Sequence, residues 1–257
     1  MADSLPGVVP TDDLVDNGRK KVLVIGKTGT GKSSLCNVLC GLGHNAKVFP
    51  VSAKANSCTQ RTFFCETFFN NKKDRPLSLI DTIGFDDPDK DDDAGIISEL
   101  VIKLKHGCDF VNLFIIAVNG QNPRLDGSLL GMIKIFEGMF GEAFWKQVVV
   151  LFTRMPMDGK SKRKREKNSQ QTDDQLAKEY MAEVAKRFNK SHGVGYVFLD
   201  ACYDREDPEE KECFDEAIEE LYTRLERAKN LPTSKVQEVE TKTEALEKEI
   251  ARREKEK

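Results

Sequence analysis

Val22-Leu23-Val24-Ile25-Gly26-Lys27-Thr28-Gly29-Thr30-Gly31-Lys32-Ser33-Ser34 decides the fold. The unbroken apolar run Val22 to Ile25 reads as a strand buried on both faces, the signature of a parallel sheet. Gly26 to Ser33 then fits G-x-x-x-x-G-K-[ST], and Leu35-Cys36-Asn37-Val38-Leu39-Cys40 continues as a helix. Glycines let backbone N–H groups turn inward around an anion, and the positive end of the helix dipole points at the same place. Gly26, Lys27, Thr28, Gly29, Thr30, Gly31, Lys32, Ser33 and Ser34 are therefore the expected cradle for a nucleoside triphosphate tail. Lys32 is expected to reach the β- and γ-phosphates, and the Ser33 hydroxyl to ligate Mg²⁺.

Downstream, Asp81-Thr82-Ile83-Gly84 ends the apolar strand Pro76 to Ile80, where ligands bind in open sheets. An aspartate there holds Mg²⁺, and a D-x-x-G glycine can donate its N–H to the γ-phosphate. Gly84 heads a polar loop. Thr59, before the aromatic stretch Arg61 to Phe69, is the best candidate for a threonine that covers the metal, with Ser57 and Thr62 as competitors.

The rest of the chain alternates strand and helix signals. Arg61 to Phe69 and Pro76 to Ile80 predict a hairpin that adds an antiparallel edge strand to an otherwise parallel sheet. Val111 to Val118, Val148 to Phe152 and Tyr196 to Leu199 read as further strands. Helical spacing appears over Ala94 to His106, Ser128 to Gly141, Thr172 to Lys190 and Pro208 to Ala228. Such alternation after a phosphate loop predicts an α/β, doubly wound, mostly parallel sheet. Asp86 to Asp93 reads as a solvated acidic loop capping the next helix, because an EF-hand would need its central glycine and closing glutamate. Asp158 to Gln171 reads as a long polar insertion around Lys160-Ser161-Lys162-Arg163-Lys164-Arg165, a solvated loop in preference to a nuclear-localisation or anionic-surface element.

Residues 1–19 carry prolines and acids with little periodicity and suggest a flexible lead-in. Residues 20–230 are expected to form the nucleotide-binding domain. Residues 231–257 are expected to add a charged helix, because Val236, Val239, Thr243, Leu246 and Ile250 trace a short heptad seam, a possible coiled coil. The net charge of −3 argues against a nucleic-acid partner. Seven scattered cysteines without zinc spacing read as reduced thiols of a cytoplasmic protein. No apolar run is long enough for a transmembrane segment.

Gly26 to Asn37, Ser57-Cys58-Thr59, Asp81-Thr82-Ile83-Gly84-Phe85 and Phe152-Thr153-Arg154, in that order, resemble an AIG1-type GTPase, the immunity-associated (GIMAP) branch of septin- and Toc-like G proteins. The resemblance covers about residues 20 to 228. It implies binding of GTP/GDP with Mg²⁺, slow hydrolysis, and homodimers across the nucleotide face, with peripheral membrane association compatible. It also implies that Thr153 and Arg154 pack against the base and that the Ala201 backbone N–H closes over it. Arg124, after the Val111 to Val118 strand, matches an arginine that neutralises transition-state charge across a dimer. Lys32, Thr59 and Arg124 are thus the catalytic candidates, and Ser33, Thr59 and Asp81 the metal candidates.

The chain departs from the family pattern in three places, one of them Asp200-Ala201-Cys202, which replaces the usual base-closing residues. Ile83 stands where the third motif has proline. Thr153-Arg154 is followed by Met155-Pro156-Met157-Asp158, which shifts the base-reading aspartate by one residue and lacks the lysine. A carboxylate accepts two N–H bonds from guanine and repels adenine, so Asp158 is the expected reader. No glutamine follows Gly84, so no side chain there orients the attacking water and turnover is expected to be slow. Two other readings compete: a GTP-binding assembly scaffold with negligible turnover, and an ATP-using P-loop enzyme.

Overall fold

The Lys20–Gly26 strand lies inside a seven-stranded sheet, where both of its faces are covered. In the computed structural model the described residues are 8–12, 14, 18–49, 62–84, 91–190 and 194–234, with backbone alone at 91–98 and 128. The strands are β1 (Val9–Thr11), β2 (Lys20–Gly26), β3 (Phe63–Phe68), β4 (Pro76–Asp81), β5 (Phe110–Val111), β6 (Leu113–Asn119), β7 (Val148–Thr153), β8 (Gly195–Phe198) and β9 (Leu231–Pro232). The helices are α1 (Lys32–Leu39), α2 (Asp91–Gly107), α3 (Gly127–Phe140), α4 (Gly159–Ser169), α5 (Asp173–Arg187) and α6 (Pro208–Arg227). The main sheet runs β1-β3-β4-β2-β6-β7-β8. Pairing is parallel from β4 through β8 and antiparallel at β3–β4 and β1–β3.

Alternation along the strands divides the core into two layers. Leu23 and Ile25, with Phe114, Ile116, Val150 and Phe152, face one cluster that takes in Leu104, Phe136 and Met181 of α2, α3 and α5. Val22 and Val24, with Ile115, Val149 and Leu151, face the other, against Leu35 of α1 and Ile218 and Leu221 of α6. β2 sits between β4 and β6, so the crevice beyond its carboxyl end is a topological switch point.

Four expectations are corrected. The lead-in is not all loose. Val9–Thr11 pairs with β3, and Leu14 is 1% exposed and bridges to Cys108. Among the described residues the sheet therefore ends at β1, and β3 is not the edge. A three-residue strand is too short to show a period of two, so composition alone hides it. The insertion around Lys160 is no loop but α4, with Asp158 as N-cap accepting the Ser161 N–H. Lys, Arg and Glu are good helix formers, and a helix polar all round leaves no apolar stripe to detect. The Leu231-Pro232 break is also β9, paired with β5, and the buried Thr233 side chain bonds to the Cys108 carbonyl. The expected heptad helix beyond it lies outside the described residues. The helix after the acidic stretch begins at Asp91, three residues earlier than expected, which places Asp91, Asp92 and Asp93 in its first turn.

Candidate functional site

The carboxyl ends of β2, β4, β6 and β7 meet at one rim, and the expected phosphate residues gather there. Gly29 and Gly31 have φ of +77° and +90°, a left-handed conformation that costs an L side chain of order 1 kcal/mol or more. Gly31 is the N-cap of α1, and the loop between is pinned by Thr30, whose N–H and hydroxyl both donate to the Lys27 carbonyl at 3.2 and 2.8 Å. Lys32 is 6% exposed, with Nζ 3.1 Å from the Lys27 carbonyl, so its ammonium folds back over the loop.

β4 carries the second set to the same place. Thr82 fastens its end to β2 by donating to the Val24 carbonyl at 2.9 Å. Asp81, 1% exposed, accepts the Ser33 hydroxyl on Oδ2 at 3.0 Å. Gly84 lies against the phosphate loop: a Cβ there would fall 2.3 Å from Thr28 Oγ1 and 2.6 Å from Thr28 N. Among the described residues Thr28 Oγ1, itself buried, has no hydrogen-bond partner. These features fit a bound triphosphate and its divalent metal: a tight glycine cradle, an orphaned hydroxyl inside it, a lysine over it, and a hydroxyl–carboxylate pair beside it. Ser34 continues into the first turn of α1. Thr59 and the Asp86 to Lys90 part of the acidic loop lie outside the described residues.

Across from the loop, the segment after β6 forms the other wall of a cleft of about 280 Å³, lined by Lys27 to Thr30, Asn119, Asn122, Arg124 and Asp126. Arg124 is exposed, with Nε 3.3 Å from Asn122 Oδ1. Asp126 caps α3 by accepting the Leu129 N–H and pairs with Lys27 at 2.8 Å. The arginine chosen from sequence and the phosphate loop therefore share one cleft.

Thr153, expected against the base, is 3% exposed, and its hydroxyl lies 2.6 Å from the Thr30 carbonyl and 3.1 Å from that of Val118. It braces the phosphate loop from β7. Arg154 follows in a left-handed conformation, φ +58°, and is exposed. Asp158 holds the start of α4, and hydrogen bonds from Ser161 keep its carboxyl below the usual range. The turn at Ala201 is set by Asp200, whose Oδ1 accepts the Cys202 N–H at 2.9 Å.

Two residues not chosen from sequence matter to this architecture. Glu210, on α6, accepts the Asp204 N–H at 2.5 Å, and burial raises its carboxyl, with Asp158, Asp200 and Asp207 adding to the rise. Asn37 is fully buried. Its Nδ2 donates toward the carbonyls of His44, Ala46 and Phe49, and its Oδ1 accepts the Phe49 N–H. It thereby fixes the loop that leaves α1. An asparagine inside an apolar helix was a signal available in the sequence, since a buried amide needs partners.

No match was found among curated protein sequences. Among solved structures, Toc33 from Arabidopsis thaliana in complex with GDP and Mg²⁺ is similar at a TM-score of 0.59 and 13% identity, covering 85% of this chain and 89% of that one. Toc33 in complex with Mg²⁺ and GMPPNP is similar at 0.54 and 14%, covering 83% and 88%. A structure described by the statement that dimerization is important for the GTPase activity of the chloroplast translocon components atToc33 and psToc159 is similar at 0.52 and 17%, covering 82% and 85%. At these identities the likeness establishes the fold. The sequence model of the AIG1 family, in contrast, matches residues 20–192 directly, and this chain belongs to the AIG1 family.

Proposed function

We propose that this chain binds GTP and GDP with Mg²⁺, hydrolyses GTP slowly, and pairs with a second copy across its nucleotide face. The observation that carries the reading is the meeting of two distant segments: Ser33 on Asp81 at 3.0 Å, with Gly84 seated on Thr28. In this assignment Lys32 and the loop amides hold the phosphates, and Ser33 and Asp81 hold the metal with Thr59. The bound metal neutralises charge that develops on the phosphates. Arg154, Asp158 and the Ala201 N–H are assigned to the base, and Thr153 to holding the loop that grips the phosphates. Membership of the AIG1 family and the GDP- and GMPPNP-bound neighbours of the same fold support this reading.

Slow turnover follows from Phe85-Asp86 after Gly84, where no glutamine orients water. Pairing is supported by the exposure of Arg124 in the phosphate cleft and by a fold neighbour whose description ties GTPase activity to dimerization. Titration with a fluorescent guanine nucleotide, with and without Mg²⁺, tests the site. Lys32→Ala is expected to abolish retention, and GTP to displace the probe far better than ATP. Retention unchanged in Lys32→Ala overturns the proposal, and effective displacement by ATP overturns the guanine assignment. Hydrolysis per molecule is expected to rise with protein concentration and to lose that rise in Arg124→Ala. A flat dependence favours the scaffold reading.

A further inference from the structure

Helix α4 carries its charge in an uneven way. Lys160, Arg163, Lys164 and Lys167 are all exposed and stand at i, i+3, i+4 and i+7, one stripe along about 10 Å of helix. The other face of α4 is tied down. Arg165 pairs with Asp173 at 2.7 Å and donates to the Pro156 carbonyl at 2.6 Å, and Lys162 Nζ lies 3.4 Å from Cys213 Sγ. Its N-terminus is fixed by Asp158 and by Glu209, which accepts the Gly159 N–H at 2.7 Å. The stripe is therefore held pointing outward.

A merely solvated helix face mixes Glu with Lys at i,i+4, as α5 and α6 do in Asp174–Lys178, Glu183–Arg187, Lys211–Asp215 and Glu220–Arg224. On α4 the one acid, Glu166, sits off the stripe. Among the described residues none of the four stripe cations has an ion pair. Each is instead three or four positions from another cation, an arrangement that destabilises an isolated helix. Anions brought from outside would relieve the repulsion that solvent and salt leave.

We infer that this stripe docks the protein on a bilayer face rich in anionic phospholipid. The chemistry selects that partner. Gly159–Ser169 contains no apolar side chain and none of its residues is buried, so it lacks the desolvated centre on which a protein interface depends. It also lacks aromatic side chains for stacking on bases. A cluster of four basic groups on one line instead matches a plane of headgroups, which demands charge but no directional contacts.

The test is co-sedimentation of the full chain with vesicles of 7:3 phosphatidylcholine:phosphatidylserine, against vesicles of phosphatidylcholine alone, at low and at high salt. Binding is expected to the anionic vesicles only and to weaken as salt screens the charge. Arg163→Gln with Lys164→Gln is expected to lower partitioning by about 25-fold, roughly fivefold for each charge removed. Lys178→Gln with Lys186→Gln, two ion-paired cations of α5, is expected to change it little. Thermal melts establish that both variants fold, and Arg163→Lys, which keeps the charge, is expected to bind as the parent does. Absence of binding at low salt, equal binding to neutral vesicles, or equal loss in the two double variants overturns the proposal. Tighter capture of a DNA or RNA duplex than of anionic vesicles replaces it with a nucleic-acid partner.

Discussion

Replacing Gly84 by alanine tests whether the second motif is pressed onto the phosphate loop. The new methyl would lie 2.3 Å from Thr28 Oγ1, 2.6 Å from Thr28 N and 2.7 Å from Thr28 Cα. Two of those atoms are backbone, so the contact is not relieved by a rotamer change, and the loop itself must move. Overpacking of this kind costs about 1–3 kcal/mol of stability. In a chain of this size that lowers the melting temperature by about 3–10 °C. Displacing one backbone N–H from a phosphate oxygen loses a charge-assisted hydrogen bond of about 1.5–3 kcal/mol, equivalent to a GDP affinity weakened about 10- to 100-fold. Gly127→Ala is the control, because among the described residues nothing lies within 4 Å of a Cβ there. Thermal melts without nucleotide and titration with a fluorescent GDP in Mg²⁺ measure both effects. If Gly84→Ala bound GDP within twofold of the parent, the packing of Gly84 on Thr28 would have no part in forming the site.

Other residues offer independent checks. Asn37→Ala leaves three carbonyls and the Phe49 N–H without their side-chain partner, so it should cost about 2–4 kcal/mol in a denaturant titration. Thr153→Val removes the hydroxyl that braces Thr30 and should cost about 1–2 kcal/mol, with Thr153→Ser restoring most of it. Hydrogen bonds from Arg75, then Lys72, hold Glu219 down to about 2, against 4.5 for a free carboxyl. The stability they add is fully present above pH 4.5 and is lost as pH falls toward 2. Melts of Glu219→Gln should therefore approach those of the parent across that window, and a gap that stays constant down to pH 2 would exclude this pair as a source of acid sensitivity.

The phosphate loop, the order of strands and helices and the D-x-x-G motif were legible in the sequence because each is a local property. An apolar run, a glycine that needs a left-handed turn and a strand-end aspartate announce themselves within a few residues. Val22 to Ile25 reads as a strand buried on both faces, and its alternate residues enter two different core layers. What depends on distant partners was not legible. β1 exists because Val9–Thr11 finds an open edge of β3, and α4 was hidden because its sequence has no apolar face.

The residues at the rim divide in the same way. Lys32, Ser33 and Asp81 follow from motif and spacing, since the types themselves carry the chemistry. Only tertiary structure decided that Thr153 reaches back to Thr30, that Glu210 approaches Asp158, and that Gly84 rests on Thr28. Those contacts join segments far apart in the chain, and the packing of β7, α6 and β4 around the phosphate loop sets their distances where no local pattern can.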